Sequence, residues 1–504
     1  MTTPAVSTLD KFHPVTAEFS LSNTEVGAPI AIMGVPFDNV TRTEALNIIH
    51  RMVQSRSPHY IATANVDFLV QAQTDVELRR ILFDSHLVLC DGTPLLWASR
   101  LLGNPLRERV AGSDLVPVLL EAAEQNGYRI FILGAAEAAN RMAAENIQRQ
   151  HPDLLVVGRY SPPPASLQEM DHDEIKRQIA AVKPDILVVA FGCPKQEKWI
   201  SMNYRDLGVP VCVGVGATVD FLAGTVKRAP KWMRNSGLEW TWRLAQEPRR
   251  LLGRYTRDLF VFGAGIVRQI WNTRSMRRAS QDGGMQTLAV DADAQILVMP
   301  ERLDAAAVRD SRAQWEGKAN GGLIIADLGA TKFIDSTGVG FLMRLRRLAR
   351  ETKAAFALAS VAPSVWRSIE LMKLGDFFPV GANVDEAWQA ANDSREQMHF
   401  SRPTQDGVAL QLQGELTEAT VDDAYKNCVE MISELAPGCI VTLDLSQVAF
   451  MDSAGIALLV RLRKMVRSAN LELQIVNSSA AVTNILQMSG LAALLLNGPA
   501  CKSA

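Results

Sequence analysis

The sequence has few cysteines, none of them paired, and no long apolar run. Six cysteines (Cys90, Cys193, Cys212, Cys428, Cys439 and Cys501) are scattered over 504 residues without a C-x-x-C pair. That excludes a disulfide framework and a thiolate zinc site, and suits a reducing compartment. The seven histidines form no H-E-x-x-H or similar spacing, so no metal site is expected. No uncharged apolar run approaches the ~18–20 residues that span a bilayer. Met1 is not followed by a basic and then an apolar segment, so a secretory signal is not expected. Charge of either sign is not in excess, with a formal net of −2. At 48% hydrophobic and 21% charged, the chain reads as globular and long enough for two to four domains.

The near-neutral total conceals one block. Residues 227–278 hold 13 Lys/Arg against 3 Asp/Glu. Trp232, Trp240, Trp242, Tyr255, Phe260, Phe262 and Trp271 lie among them. Cations interleaved with aromatics suit contact with a membrane surface; the plainer alternative is a solvated helix with core aromatics. Nucleic acid is not expected, because no nucleic-acid fold surrounds the block.

Patterning divides the chain. Residues 1–27 are polar and read as a flexible leader. Over 28–245, short apolar runs (30–34, 59–65, 86–90, 129–134, 154–158, 185–192 and 209–216) alternate with amphipathic stretches. That is the signature of α/β units around an open, mostly parallel sheet. Residues 246–283 form a basic appendage and linker. The remainder is an internal repeat, 284–395 and 400–504. Asp335-Ser336-Thr337-Gly338 and Asp452-Ser453-Ala454-Gly455 stand 117 residues apart, each between an apolar strand and a Leu/Val/Arg helix. Two small α/β domains are expected there.

The polar residues of the first domain collect at strand ends, where α/β folds bind ligands. Thr63 and Asn65 end one strand and Asp91-Gly92 the next. Arg109, Gly112 and Asp114 follow in R-V-A-G-S-D. Gly134 ends R-I-F-I-L-G. Lys195 and Gln196 follow D-I-L-V-V-A, and Gly216 and Asp220 follow V-P-V-C-V. Singly, each admits a bland reading: Asp-Gly is a common turn, and Gly214-Val215-Gly216 lacks the third glycine of a dinucleotide loop. An NAD-dependent enzyme is therefore the weakest reading. As a set they define one crevice suited to a phosphorylated ligand.

Six motifs carry a family resemblance: T-A-N-V-D (63–67), C-D-G-T (90–93), R-V-A-G-S-D (109–114), F-G-C-P-K-Q-E-K-W-I (191–200), V-G-V-G-A-T-V-D-F-L-A-G (213–224), and K-R-A-P-K-W through E-P-R-R (227–250). In order and spacing, residues 30–252 resemble the WecG/TagA/CpsF glycosyltransferases. The resemblance implies inverting, metal-independent transfer of an N-acetylmannosamine-type sugar, or its uronic acid, from a UDP donor. The acceptor would be a polyprenyl-diphosphate-linked sugar at the inner membrane face, in cell-surface polysaccharide synthesis. It makes Asp91 the general base and Thr63, Asn65 and Gln196 donor-site residues. Arg109 and Lys195 would hold diphosphate, as would the glycines Gly92, Gly134 and Gly216 through their backbone. Arg228, Arg243, Arg249, Arg250 and Arg254 would serve the acceptor diphosphate or the membrane. No cofactor is expected beyond the UDP sugar as co-substrate. Gly216-Ala217-Thr218-Val219-Asp220 departs from the family's usual Gly-Gly-x-F-D, which bears on donor identity.

In the repeat, Gly-Glu-Leu-Thr (414–417) and L-D-L-S-x-V-x-F-M-D-S-A-G (443–455) resemble the STAS domain of anti-sigma-factor antagonists. The first copy is similar, with Pro300-Glu301-Arg302-Leu303-Asp304 in place of the usual Gly-Glu-Leu-Asp. The resemblance marks Ser336 and Ser453 as phosphorylatable and an anti-sigma-type Ser/Thr kinase as a partner. Capping of the following helix is the alternative role at those turns. The competing function is a catalytically idle sugar-nucleotide sensor acting through the STAS pair. Whether the STAS half shields the basic block from a membrane is left open by the sequence. Homo-oligomerisation is left open.

Overall fold

The computed structural model describes residues 26–279 apart from 168 and 236–237, and 294–486 apart from 319–321, 353, 394–397, 401–406, 418–419, 434, 480–481 and 484. In chain order the first domain comprises β1 (Gly27–Ile32), β2 (Val35–Asn39), α1 (Arg42–Ser55), β3 (His59–Ala64), α2 (Val66–Gln71), α3 (Val76–Asp84), β4 (Leu87–Cys90), α4 (Thr93–Leu101), α5 (Gly112–Asn126), β5 (Arg129–Gly134), α6 (Glu137–Gln150), β6 (Leu155–Tyr160), α7 (His172–Val182), β7 (Ile186–Ala190), α8 (Lys195–Asn203), β8 (Val211–Gly214) and α9 (Thr218–Ala223). The basic block folds as α10 (Lys231–Asn235), α11 (Glu239–Gln246) and α12 (Pro248–Ala279).

Strands β3 to β8 form one six-stranded parallel sheet in the order β4-β3-β8-β7-β5-β6. Helices cover both faces, so strand residues are buried alternately on either side. Ile186 and Val188 enter one core, Leu187 and Val189 the other. The chain leaves β3 outward through β4 and leaves β5 outward through β6. Connections thus part near the sheet centre, where open α/β sheets form a crevice beyond the strand C-termini.

The run at 30–34 does not join this sheet. It forms β1, paired antiparallel with β2 as a separate hairpin (Ile30↔Phe37). A short apolar run reads alike in a parallel or an antiparallel setting, and periodicity alone does not separate them. Of the expected leader, 1–25 lie outside the described residues, whereas Val26 is buried in a core.

The first repeat comprises β9 (Ala294–Val298), β10 (Arg302–Leu303), α13 (Ala305–Lys318), β11 (Leu323–Asp327), β12 (Phe333–Ile334), α14 (Ser336–Glu351), β13 (Ala355–Ala359), α15 (Pro363–Leu371), β14 (Val380–Gly381) and α16 (Val384–Asp393). The second comprises β15 (Met398–Phe400), β16 (Gly407–Leu416), α17 (Val421–Ser433), β17 (Ile440–Met451), α18 (Ser453–Ser468) and β18 (Glu472–Ser478). Each holds a four-stranded sheet, β14-β13-β11-β9 and β15-β16-β17-β18. The repeated turn has one geometry in both. Asp335 Oδ1 accepts from Thr337 N (2.7 Å) and Gly338 N (2.9 Å); Asp452 Oδ1 accepts from Ala454 N (2.8 Å) and Gly455 N (3.1 Å). The aspartate is the helix cap and the serine is the first helical residue.

The first repeat is docked on the first domain. The β1 backbone crosses α14 at Gly340, where a Cβ would lie 2.9 Å from Ala31 N. Arg347 donates to Asp38 at 3.0 Å, and Arg344 to Glu316 at 2.6 Å, all four side chains being buried. Arg346 and Arg350 both reach Asp84 at 3.1 Å. Burial alone would raise the Asp84 carboxyl; Arg350, Arg80 and Arg346 instead hold it well below the usual range. Helix α12 runs between the domains, contacting α2, α15 and β12. Among the described residues, no helix is long and apolar enough to cross a membrane.

Candidate active site

Parallel pairing brings the C-terminal ends of β3, β4, β5, β7 and β8 to one edge of the sheet. Helices α4, α5, α6, α8 and α9 begin there. Their cap residues are Gly92, Ala111, Ala136, Pro194 and Ala217, none of which supplies a side-chain cap. At the same edge α2 is capped by Asn65, and elsewhere α1, α3 and α7 are capped by Thr41, Asp75 and Asp171. Uncapped N-termini leave backbone N–H donors and positive partial charge for an anion. Gly134 has φ +94°, and a Cβ on it would lie 2.7 Å from Ala190 O, so the β5 loop admits only glycine.

Asp91 ends β4, anchored by its N–H to Ala64 O (2.8 Å). Burial pushes its carboxyl up from 3.8 to about 6, against the pull of Arg243 and Arg109 and with the help of Glu239 and Asp114. Arg109 is fixed by two carboxylates, Asp114 (2.6 Å) and Glu239 (2.9 Å). Asp114 also receives Arg228 and, at 3.4 Å, Arg234. Arg228 donates to Ser113 Oγ (2.9 Å). Glu239 pairs with Arg243 (3.5 Å), whose guanidinium lies over Phe221, 5.1 Å from the ring centre. The segment after α9 is thereby folded back over the crevice and pinned beside Asp91.

The arginines of this segment are incompletely bonded. The Nε atoms of Arg228, Arg234, Arg243 and Arg254 are buried without a hydrogen-bond partner among the described residues. Buried donors without partners are rare, and four on one segment form a set of the chemistry a phosphate would satisfy. Arg254 also approaches Asp67 at 3.8 Å. Arg249 is exposed, and the side chain of Arg250 lies outside the description. Arg234, Glu239 and Asp67 were not singled out from sequence. A signal existed for Glu239, which stands four residues before Arg243, the spacing of a helical ion pair.

The other strand-end residues are engaged with the protein itself. Thr63 Oγ1 donates to Gly214 O (2.9 Å). Asn65 Oδ1 caps α2, accepting from Asp67 N (3.0 Å) and Phe68 N (3.4 Å). Gln196 is 2% exposed. Its Oε1 accepts from Gly192 N (3.2 Å) and Gly216 N (3.0 Å), and its Nε2 donates to Glu197 Oε1 (2.6 Å). Gln196 is thus a pin joining the loops after β7 and β8, with both ends of its amide in use. Lys195 Nζ donates to Ala165 O (2.5 Å) and lies over the Phe191 ring. Asp220 sits half-buried in the first turn of α9.

Ser336 is fully buried and accepts from Gln269 Nε2 (2.8 Å) of α12, which also donates to Ala31 O (2.8 Å). A kinase would reach it only after α14 leaves α12 and β1. The side chain of Ser453 lies outside the description. The STAS half does not shield α12 completely: Leu252 (56%), Leu259 (69%), Phe260 (75%), Val267 (63%) and Trp271 (74%) remain exposed along the helix.

Fold and site define an open α/β domain that gathers a carboxylate and arginines over its strand ends. Residues 30–276 match the model of the glycosyl transferase WecG/TagA/CpsF family, and residues 289–387 and 399–502 match the STAS domain. The chain is therefore a WecG/TagA/CpsF-type glycosyltransferase domain followed by two STAS domains. It is similar to the N-acetylglucosaminyldiphosphoundecaprenol N-acetyl-beta-D-mannosaminyltransferases of Staphylococcus aureus strains MRSA252 and NCTC 8325. Each is 29% identical over 232 residues, covering 46% of this chain and 88% of the relative. Among solved structures, the anti-sigma factor antagonist SpoIIAA in its unphosphorylated form is 24% identical. It covers 20% of this chain and 85% of that one, with a TM-score of 0.17, too low to bear on the fold.

Proposed function

We propose that this chain transfers an N-acetylmannosamine-type sugar from a UDP donor to a polyprenyl-diphosphate-linked acceptor, with inversion and without a metal. The observation that carries the reading is Asp91, a carboxyl raised to about 6 beside arginines with unpartnered buried donors. The names of the Staphylococcus aureus relatives support the acceptor class and the sugar. In this mechanism Asp91 takes the proton of the acceptor hydroxyl as its oxygen bonds the anomeric carbon. The bond from that carbon to the UDP oxygen breaks, and UDP leaves with the electron pair. A base poised near 6 is ionised at neutral pH yet basic enough to accept the proton. Arg228, Arg234, Arg243 and the uncapped helix N-termini meet the charge on the diphosphates. Thr63, Asn65 and Gln196 shape the loops that receive the donor.

The exposed stripe of α12, flanked by Arg249, Arg257 and Arg268, is proposed to lie on the inner face of the membrane, where a lipid-linked acceptor resides. Phe260→Glu is then expected to lower recovery on anionic vesicles severalfold; unchanged flotation would remove this element. The STAS pair is proposed to regulate or dock the transferase.

The test is UDP release from UDP-N-acetylmannosamine with a polyprenyl-diphosphate N-acetylglucosamine analogue. Release by the full chain is expected to depend on acceptor and to fall ~10³-fold in Asp91→Asn, with donor binding kept. Donor binding without release in the parent chain would transfer weight to the sensor reading.

A further inference from the structure

Helices α14 and α18 start at the same turn and carry basic residues at the same places. Arg344, Arg346, Arg347 and Arg350 correspond, 117 residues on, to Arg461, Arg463, Lys464 and Arg467. Their surroundings differ. On α14 the stripe Gly340, Met343, Arg347, Arg350 is covered. The β1 backbone lies on Gly340, Met343 is 0% exposed, and Arg347 is held by Asp38. On α18 the matching stripe is Ala457, Val460, Lys464, Arg467. Val460 is 41% exposed, and Lys464 and Arg467 are exposed. Among the described residues neither cation has an ion pair with a carboxylate. Helix α18 borders the first domain at α8, and its cap Asp452 lies near Ser201 and Tyr204.

We propose that this stripe of α18 docks a second protein, which lays an extended apolar segment bearing a carboxylate across it, as β1, β2 and Asp38 do on α14. Spacing of three, four and three residues puts the four side chains on one face. Ala457 stands where Gly340 meets the β1 backbone, and because a Cβ at Gly340 would lie 2.9 Å from Ala31 N, a segment on α18 crosses farther from the helix than β1 does on α14. Beside it are one apolar side chain and two cations, complementary to a carboxylate. Lipid fits less well: Val460 alone offers little apolar area to insert, unlike the aromatic stripe of α12.

The test uses the full chain in the cells that make it, with the photo-crosslinker benzoylphenylalanine replacing Val460 or, as control, the exposed Glu472. One discrete adduct is expected from position 460 and not from 472. Its cross-linked peptide should map to another protein, in an apolar extended segment holding Asp or Glu. Lys464→Glu should cut its yield at least fivefold, and Lys464→Arg should keep it. No adduct, an adduct shared with position 472, or one indifferent to Lys464→Glu would overturn the proposal. A cross-linked peptide from this chain would replace it with self-association. A fall in recovery on anionic vesicles in Lys464→Glu, without an adduct, would replace it with lipid.

Discussion

Along the strand ends, Thr63, Asn65 and Gln196 turn their side-chain oxygens onto neighbouring backbone. Facing them, Arg228, Arg234, Arg243 and Arg254 keep a buried donor without a partner. The side-chain oxygens of the first wall are bonded within the protein, whereas the second wall keeps donors without a partner among the described residues. The first holds loop shape, as preorganised sites require. Under the proposed function, the diphosphate would supply the partners missing from the second. Substitutions in the two walls should therefore fail differently.

The largest effect belongs to Asp91, which stands between the walls. Its carboxyl, near 6, must be ionised to accept a proton. The free enzyme's kcat/KM is expected to fall about tenfold per pH unit below pH 6 and to level off above it. A profile flat from pH 5 to 8 would remove Asp91 as the base. Next is Arg243, which touches Glu239 and stacks on Phe221. Arg243→Ala should lower kcat/KM by ~10–100-fold while the melting temperature stays nearly constant. Lysine should restore little, because it lacks the planar fork. A large loss of stability with normal turnover per folded molecule would invert the comparison.

The strand-end wall should behave in the opposite sense. Gln196→Ala removes the acceptor shared by Gly192 N and Gly216 N. Two half-buried N–H groups then lose their protein partner, at a cost of at most ~1–3 kcal/mol each, reduced where water takes the place of the amide. Urea unfolding should show that loss. Affinity for UDP should weaken less than in Arg243→Ala. Equal stability with lost UDP binding would make Gln196 a direct ligand contact.

What sequence made legible follows the same division. Asp91, Arg109 and the glycines stand at strand ends within local motifs, and the apolar runs locate those ends without tertiary knowledge. The parallel sheet itself is legible because its strands are apolar on both faces. The pin made by Gln196 is not legible, because its partner Gly216 N is 20 residues away and reached only by strand pairing. Nor is the role of Arg234, which depends on the chain folding back onto Asp114 across 120 residues. Burial of Ser336 was equally hidden. Its turn reads as a phosphorylatable or capping position, yet Ser336 is fully buried against Gln269 of α12.

The smallest expected effect sharpens the scaffold side. Glu197 sits fully buried beside Gln196, and burial raises its carboxyl from 4.5 to about 7. Between those values the native chain holds a proton that the unfolded chain has released. Stability from this group is therefore fully present below about pH 4.5 and is lost as pH rises toward 7. Glu197→Gln keeps an oxygen for the Gln196 amide and abolishes the titration. Urea midpoints of the parent and the variant should lie close at pH 5. By pH 8 the variant should be the more stable, and turnover in both should keep the profile set by Asp91. Parallel stability curves across that range would mean that Glu197 does not titrate there, and that the pin is neutral for another reason. A shifted activity profile would instead draw Glu197 into the chemistry and blur the line between the two walls.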